Sequence, residues 1–139
     1  MENLHLTLAF IGPVDEETTC CLETAAATVR LEPFTLVLDK VGQFRGSRVV
    51  WLGASRVPEP LARLVALLSK ALEPCGYRPD PRPFWPHVTL FRNGELATPG
   101  PVEVAPIEWP VDRFVLVESV TAPQGARYRV LKSFSGLAA

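Results

Sequence analysis

Two tetrapeptides constrain this chain more than anything else in it. His5-Leu6-Thr7-Leu8 and His87-Val88-Thr89-Leu90 are each His-x-Thr-Leu, each lies in an apolar run, and together they hold both histidines of the sequence. In extended backbone, residues i and i+2 share a face. His5 and Thr7 then point one way and Leu6 and Leu8 the other, and His87 and Thr89 stand against Val88 and Leu90 in the same sense. A fold that accepts both segments must bury two apolar sides and leave an imidazole beside a hydroxyl on each opposite side. Related by pseudo-symmetry, two such strands would present two imidazoles and two hydroxyls to one cleft.

The remaining pattern supplies the frame. Leu4–Ile11 reads as a strand closed by Gly12-Pro13, and Asp15 as the N-cap of a helix with Leu22, Ala25, Ala26 and Val29 on one stripe. Phe34–Leu38 is a second strand, Gly42–Ser47 a loop, and Arg48–Gly53 a third strand. Leu61, Leu64, Val65, Leu68 and Leu72 keep helical spacing from Pro60 until Pro74 and Gly76 stop it. Pro74, Pro79, Pro81, Pro83 and Pro86 make the next segment stiff and unfit for a central strand. It delivers His87–Arg92, followed by a turn at Asn93-Gly94 and short strand character at Val102–Val104. Asp112–Val120 and Arg127–Phe134 then form strands joined at Pro123-Gln124-Gly125. Strands adjacent in sequence favour an α+β fold with antiparallel sheets.

Composition excludes several classes. At 139 residues, 47% hydrophobic and 21% charged, the chain carries enough apolar content for one core and too much for intrinsic disorder. Fourteen Lys+Arg against fifteen Asp+Glu leave a formal charge of −1, so long nucleic acid is not held by bulk charge. No apolar run reaches membrane-span length, and the first residues lack the regions of a signal peptide. Cys20, Cys21 and Cys75 have no metal-ligand spacing and read as reduced, mostly buried thiols, which points to the cytoplasm.

Paired histidines with paired threonines suit acid–base chemistry on a phosphate. One neutral ring accepts a proton while the other, protonated, donates one, and the hydroxyls hydrogen-bond phosphate oxygens. A single His-x-Thr-Leu would be most simply a structural histidine, but a repeat that uses every histidine favours catalysis. Zinc would need further ligands that no motif supplies, so neither metal nor cofactor is expected.

On these residues the chain resembles the two-histidine phosphoesterases, in particular the 2′-5′ RNA ligase / RNA 2′,3′-cyclic phosphodiesterase family. Glu2–Gly12 is similar to the first motif and its flanks, and Phe84–Arg92 to the second. Phe44–Gly53 resembles the intervening loop and Trp-containing strand, and Tyr128–Leu131 the C-terminal strand. The resemblance implies a single bilobal domain over residues 1–139, with pseudo-two-fold antiparallel sheets around a central cleft and helices outside. It also implies hydrolysis of RNA 2′,3′-cyclic phosphate ends to 2′-phosphates, with 2′-5′ ligation as the reverse direction. His5 and His87 would be the acid–base pair, with His87 activating water and His5 protonating the departing 3′ oxygen. Thr7, Thr89 and Arg92 would hold the phosphate.

Strict alternation puts Arg92 on the Leu90 face, so a bulge or the strand end must swing it back. Phe44 and Phe91 are candidates for base stacking, as are Phe84 and Trp85, with core packing the alternative for each. Arg45, Arg48, Arg78 and Arg82 could steer RNA phosphates, and Tyr128 either contacts substrate or packs. The expected partners are RNA 3′ ends or small cyclic nucleotides, with no membrane and no obligate protein partner. The rival functions are turnover of cyclic nucleotides, ADP-ribose cyclic phosphate or 2′-5′ oligonucleotides, and a non-catalytic RNA- or nucleotide-binding module. Family members usually carry a strand and helix before the first motif, whereas here only Met1–Leu4 precede His5. A shortened N-terminus of this kind would uncover apolar surface and favour self-association.

Overall fold

The computed structural model describes residues 4–44, 46–92, 101–123 and 125–135. In chain order the elements are α1 (Glu16–Ala26), β1 (Phe34–Phe44), β2 (Val49–Gly53), α2 (Glu59–Leu72), a 3-10 turn (Glu73–Cys75), β3 (His87–Phe91), β4 (Val102–Val111), β5 (Arg113–Ala122) and β6 (Gly125–Ser135). Four strands form an antiparallel sheet in the order β3-β2-β1-β4, and β5 pairs with β6 in a second, two-stranded sheet. The fold is α+β with antiparallel sheets, as expected.

Asp15 caps α1, its carboxylate accepting the Thr18 N–H at 2.8 Å. In α2, Leu61, Leu64, Leu68 and Leu72 are buried on one stripe. That stripe serves both cores. Leu64, Leu68 and Leu72 join Leu22, Ala26, Leu31 and the stacked Phe114–Phe134 pair of the hairpin. Leu61 joins Leu36 and Leu38 of β1, Ala54, and Val88 of β3. Leu8 and Phe34 pack against both clusters.

Several segments depart from the sequence reading. Leu4–Ile11 is not a continuous strand. Among the described residues its ladder contact is an antiparallel bridge between Leu6 and Val88. The five-residue β3 directly follows Pro86, which has no N–H to extend a ladder. β1 runs on through Gly42, Gln43 and Phe44, where a loop was expected, because the Trp51 ring lies against the bare backbone of Gly42. β4 extends past Pro106 and Pro110. It is an edge strand, where proline is tolerated, and its register with β1 shifts between Leu38 and Lys40. The expected turn at Asn93-Gly94 lies outside the described residues.

The cysteine reading is also corrected. Cys21 and Cys75 form a disulfide with a Cα–Cα distance of 5.7 Å, and Cys20 alone is free and exposed. Packing of α1 against α2 and the 3-10 turn creates this proximity, which sequence spacing does not reveal. No helix of the described residues is long and apolar enough to cross a membrane.

Candidate active site

The Leu6–Val88 bridge organises the site. Antiparallel partners share a face, and here that face is apolar: Val88 is buried in the core, with Leu6 and Leu8 packed beside it. In the same register His5 falls opposite Thr89 and Thr7 opposite His87, on the other side of the chain. Each imidazole is thereby set across from the hydroxyl of the other motif. His5 and Thr7 are exposed, while His87 and Thr89 are half-buried.

β2 continues this side into the sheet, with Gly53 opposite His87 and Trp51 opposite Thr89. Gly42 of β1 lies opposite Trp51 in turn. Trp51 is only 6% exposed and forms the floor, with Phe44 and Trp85 at ring-centroid distances of 5.7 and 5.6 Å. Its indole N–H is buried without a hydrogen-bond partner among the described residues. Glycine is required at two positions here. A Cβ on Gly42 would collide with the Trp51 ring, and one on Gly53 would stand 2.9 Å from Trp51 Cζ3 and 3.0 Å from Trp85 Nε1.

His87 is fixed from two directions. Its Nδ1 lies 3.0 Å from the Trp85 carbonyl oxygen, and Phe44 meets the ring edge-on at 5.3 Å. A carbonyl only accepts, so Nδ1 carries the hydrogen and, in the neutral ring, Nε2 carries the lone pair. His5 meets the ring of Tyr128 at 4.7 Å, tilted by 57°. The His87 ring thus meets an aromatic ring from β1, across β2, and the His5 ring meets one from β6.

The other predicted residues divide. Val50 pairs with Phe91 but Trp51 with Thr89, so β3 holds one extra residue at this point. Such a bulge inverts the alternation. Phe91, paired with Val50, falls on the side away from Thr89 and is exposed, and Arg92 is exposed at the bend after β3. Phe44 and Trp85 are half-exposed at the His87 ring and its carbonyl partner. Phe84 packs against the sheet core. Arg82 is engaged by Asp80 at 2.7 Å, and that cation holds the Asp80 carboxyl down to about 2. Arg48 and Arg78 are exposed, and Arg45 lies outside the described residues. Trp51 as the floor was not singled out from sequence; the glycines at 42 and 53 were its signal. Among the described residues no three His, Cys, Asp or Glu side chains cluster as metal ligands.

The frame thus carries two His/Thr pairs in antiparallel register beside the aromatic cluster of Trp51, Phe44 and Trp85. Comparison with known proteins identifies the class further. The model of the 2′-5′ RNA ligase superfamily matches residues 2–122. The RNA 2′,3′-cyclic phosphodiesterase of Escherichia coli (strain K12) is 39% identical over 134 residues, 96% of this chain and 76% of the relative. That of Aeropyrum pernix is 34% identical, covering 94% of this chain and 80% of the relative. Crystal structures agree: E. coli LigT complexed with 3′-AMP superposes with a TM-score of 0.81 at 39% identity, over 96% of this chain and 76% of that one. A structure described as a phosphoesterase reaches a TM-score of 0.86 at 40% identity over the same shares. The chain belongs to the 2′-5′ RNA ligase superfamily.

Proposed function

We propose that this chain is an RNA 2′,3′-cyclic phosphodiesterase that opens the cyclic phosphate to a 2′-phosphate by paired-histidine acid–base catalysis. The observation that carries the reading is the Leu6–Val88 bridge, whose register sets each histidine across from the other motif's threonine. The names of the relatives supply the substrate class.

His87 is the base. With Nδ1–H directed to the Trp85 carbonyl, the Nε2 lone pair of the neutral ring is available to take a proton from water. The water oxygen bonds to phosphorus, the P–O3′ bond breaks, and its electron pair leaves with O3′. His5 supplies the proton that makes O3′ a hydroxyl. The product keeps the P–O2′ bond, and both rings exchange protons with solvent before the next turnover. Thr7 and Thr89 donate hydrogen bonds to the non-bridging oxygens, and Arg92 offsets their charge. Phe44 stacks on a base at the His87 side. The same ring opening with an RNA 5′-hydroxyl in place of water, its oxygen bonding to phosphorus as P–O3′ breaks and O3′ takes up a proton, forms a 2′-5′ phosphodiester and is ligation. We read residues 1–139 as one two-lobed domain with this cleft at its centre, acting on RNA ends.

The test is hydrolysis of a nucleoside 2′,3′-cyclic phosphate in excess chelator by wild type, His5→Ala and His87→Ala. Wild type should release a 2′-phosphate with a bell-shaped pH–rate profile, and each variant should lose about 100-fold or more. Turnover retained in either variant, or a requirement for metal, would refute the mechanism.

A further inference from the structure

The two histidines are held by different means. His87 lies in a strand paired to β2, with its ring bonded to the backbone of Trp85. His5 lies beside a single bridge, outside any named strand, and its ring contact comes from the far end of the chain. That contact is Tyr128 of β6. β6 is itself well anchored: it pairs along its length with β5, Tyr128 opposite Ser119, and Phe134 stacks on Phe114 at 5.0 Å inside the helical core.

We propose that Tyr128 is a positioning residue for catalysis, holding the His5 imidazole at the angle from which it delivers a proton to the leaving oxygen. At a centroid distance of 4.7 Å the two rings are in van der Waals contact, which restricts rotation of the imidazole about its Cβ–Cγ bond. Proton delivery depends steeply on such placement, since a misplacement of about 1 Å costs on the order of 100-fold. The ring supplies the restraint, so phenylalanine substitutes for tyrosine and an aliphatic side chain does not. The C-terminal hairpin then contributes to chemistry carried out by an N-terminal residue. The catalytic consequence rests on the acid role proposed for His5; the ring contact does not.

Two measurements separate these. The sequence has only two histidines, so the imidazole Hε1 resonances are assigned by one His87→Ala spectrum. Wild type should show an NOE between the His5 and Tyr128 rings, and Tyr128→Leu should shift the His5 resonance while leaving that of His87 in place. Turnover of a nucleoside 2′,3′-cyclic phosphate by Tyr128→Leu should fall about 10- to 100-fold in kcat with little change in KM, and Tyr128→Phe should restore it. No NOE in wild type, or a His5 resonance unmoved by Tyr128→Leu, overturns the contact. A raised KM at full kcat, or Tyr128→Phe as impaired as Tyr128→Leu, overturns the positioning role. An inactive wild type with the NOE present refutes the hydrolase reading and leaves the contact standing.

Discussion

At the scale of single residues, the aromatic floor of the site depends on positions without side chains. Trp51 lies across Gly42, and the aromatic wall beside His87 rests on Trp51. Gly42→Ala puts a methyl group where the indole is, and backbone and ring cannot both stay. Overpacking of this kind costs about 1–3 kcal/mol. The variant should lower the unfolding free energy from urea titration by that amount, with a lower midpoint, and reduce turnover as well, since Trp51 is the cross-strand partner of Thr89. An unchanged midpoint would mean that the ring has room to move aside. The histidines, the threonines and their shared face were legible in the sequence, because a period of two fixes which side chains stand together. Trp51 as floor was not: whether a tryptophan covers a glycine depends on cross-strand register, and register is set by partners distant in the chain. Tyr128 beside His5 was hidden for the same reason.

At the scale of elements, long periodic segments such as α2 read correctly, while the strands were legible in kind and not in length. β4 looked like three residues because prolines follow, yet an edge strand needs only half of its N–H groups paired. The first motif looked like a full strand because its alternation is clean, yet alternation without a long partner yields one bridge. Joints between elements are polar and local. Asp39, where the β1–β4 register shifts, accepts the Ser55 hydroxyl at 2.6 Å and the Ser55 N–H at 2.8 Å, tying β1 to the chain leaving β2. The Ser55 hydroxyl, followed by its N–H, holds the carboxyl below its ordinary 3.8. A carboxylate more acidic in the folded than in the unfolded state stabilises above the unfolded pKa, and the contribution is lost as pH falls through the folded one. Asp39→Asn should therefore lower the thermal midpoint near neutral pH, with the gap to wild type closing as pH drops below 3.8. A gap that stays constant through acid would show that the joint does not depend on the charge.

At the scale of the whole molecule, one covalent bond spans the framework that carries the site. Cys21 on α1 and Cys75 after α2 are 54 residues apart, and the loop they close contains β1, β2 and α2. Cross-linking a loop of that length removes unfolded-state freedom worth about 4 kcal/mol, a large share of the roughly 5–15 kcal/mol by which domains are stable. Sequence reasoning assigned these residues as thiols because adjacent cysteines and an odd count suggest no pairing. The bond is evident only once α1 packs beside the end of α2. Cys21 lies on α1 and Cys75 in the 3-10 turn after α2, whereas the histidines flank Leu6 and Val88 on the other side of the chain. Reduction, or Cys75→Ser, should thus depress the unfolding midpoint strongly while kcat at temperatures well below it stays at the wild-type value. In a reducing compartment the same chain would carry three thiols and the lower stability, so its persistence there would depend on redox state while its chemistry would not. Thiol titration of the native protein decides the first point, since one reactive cysteine is expected and three would show that the bond does not form. A fall in kcat on reduction, without unfolding, would instead show that the helical clamp reaches the histidine-bearing face.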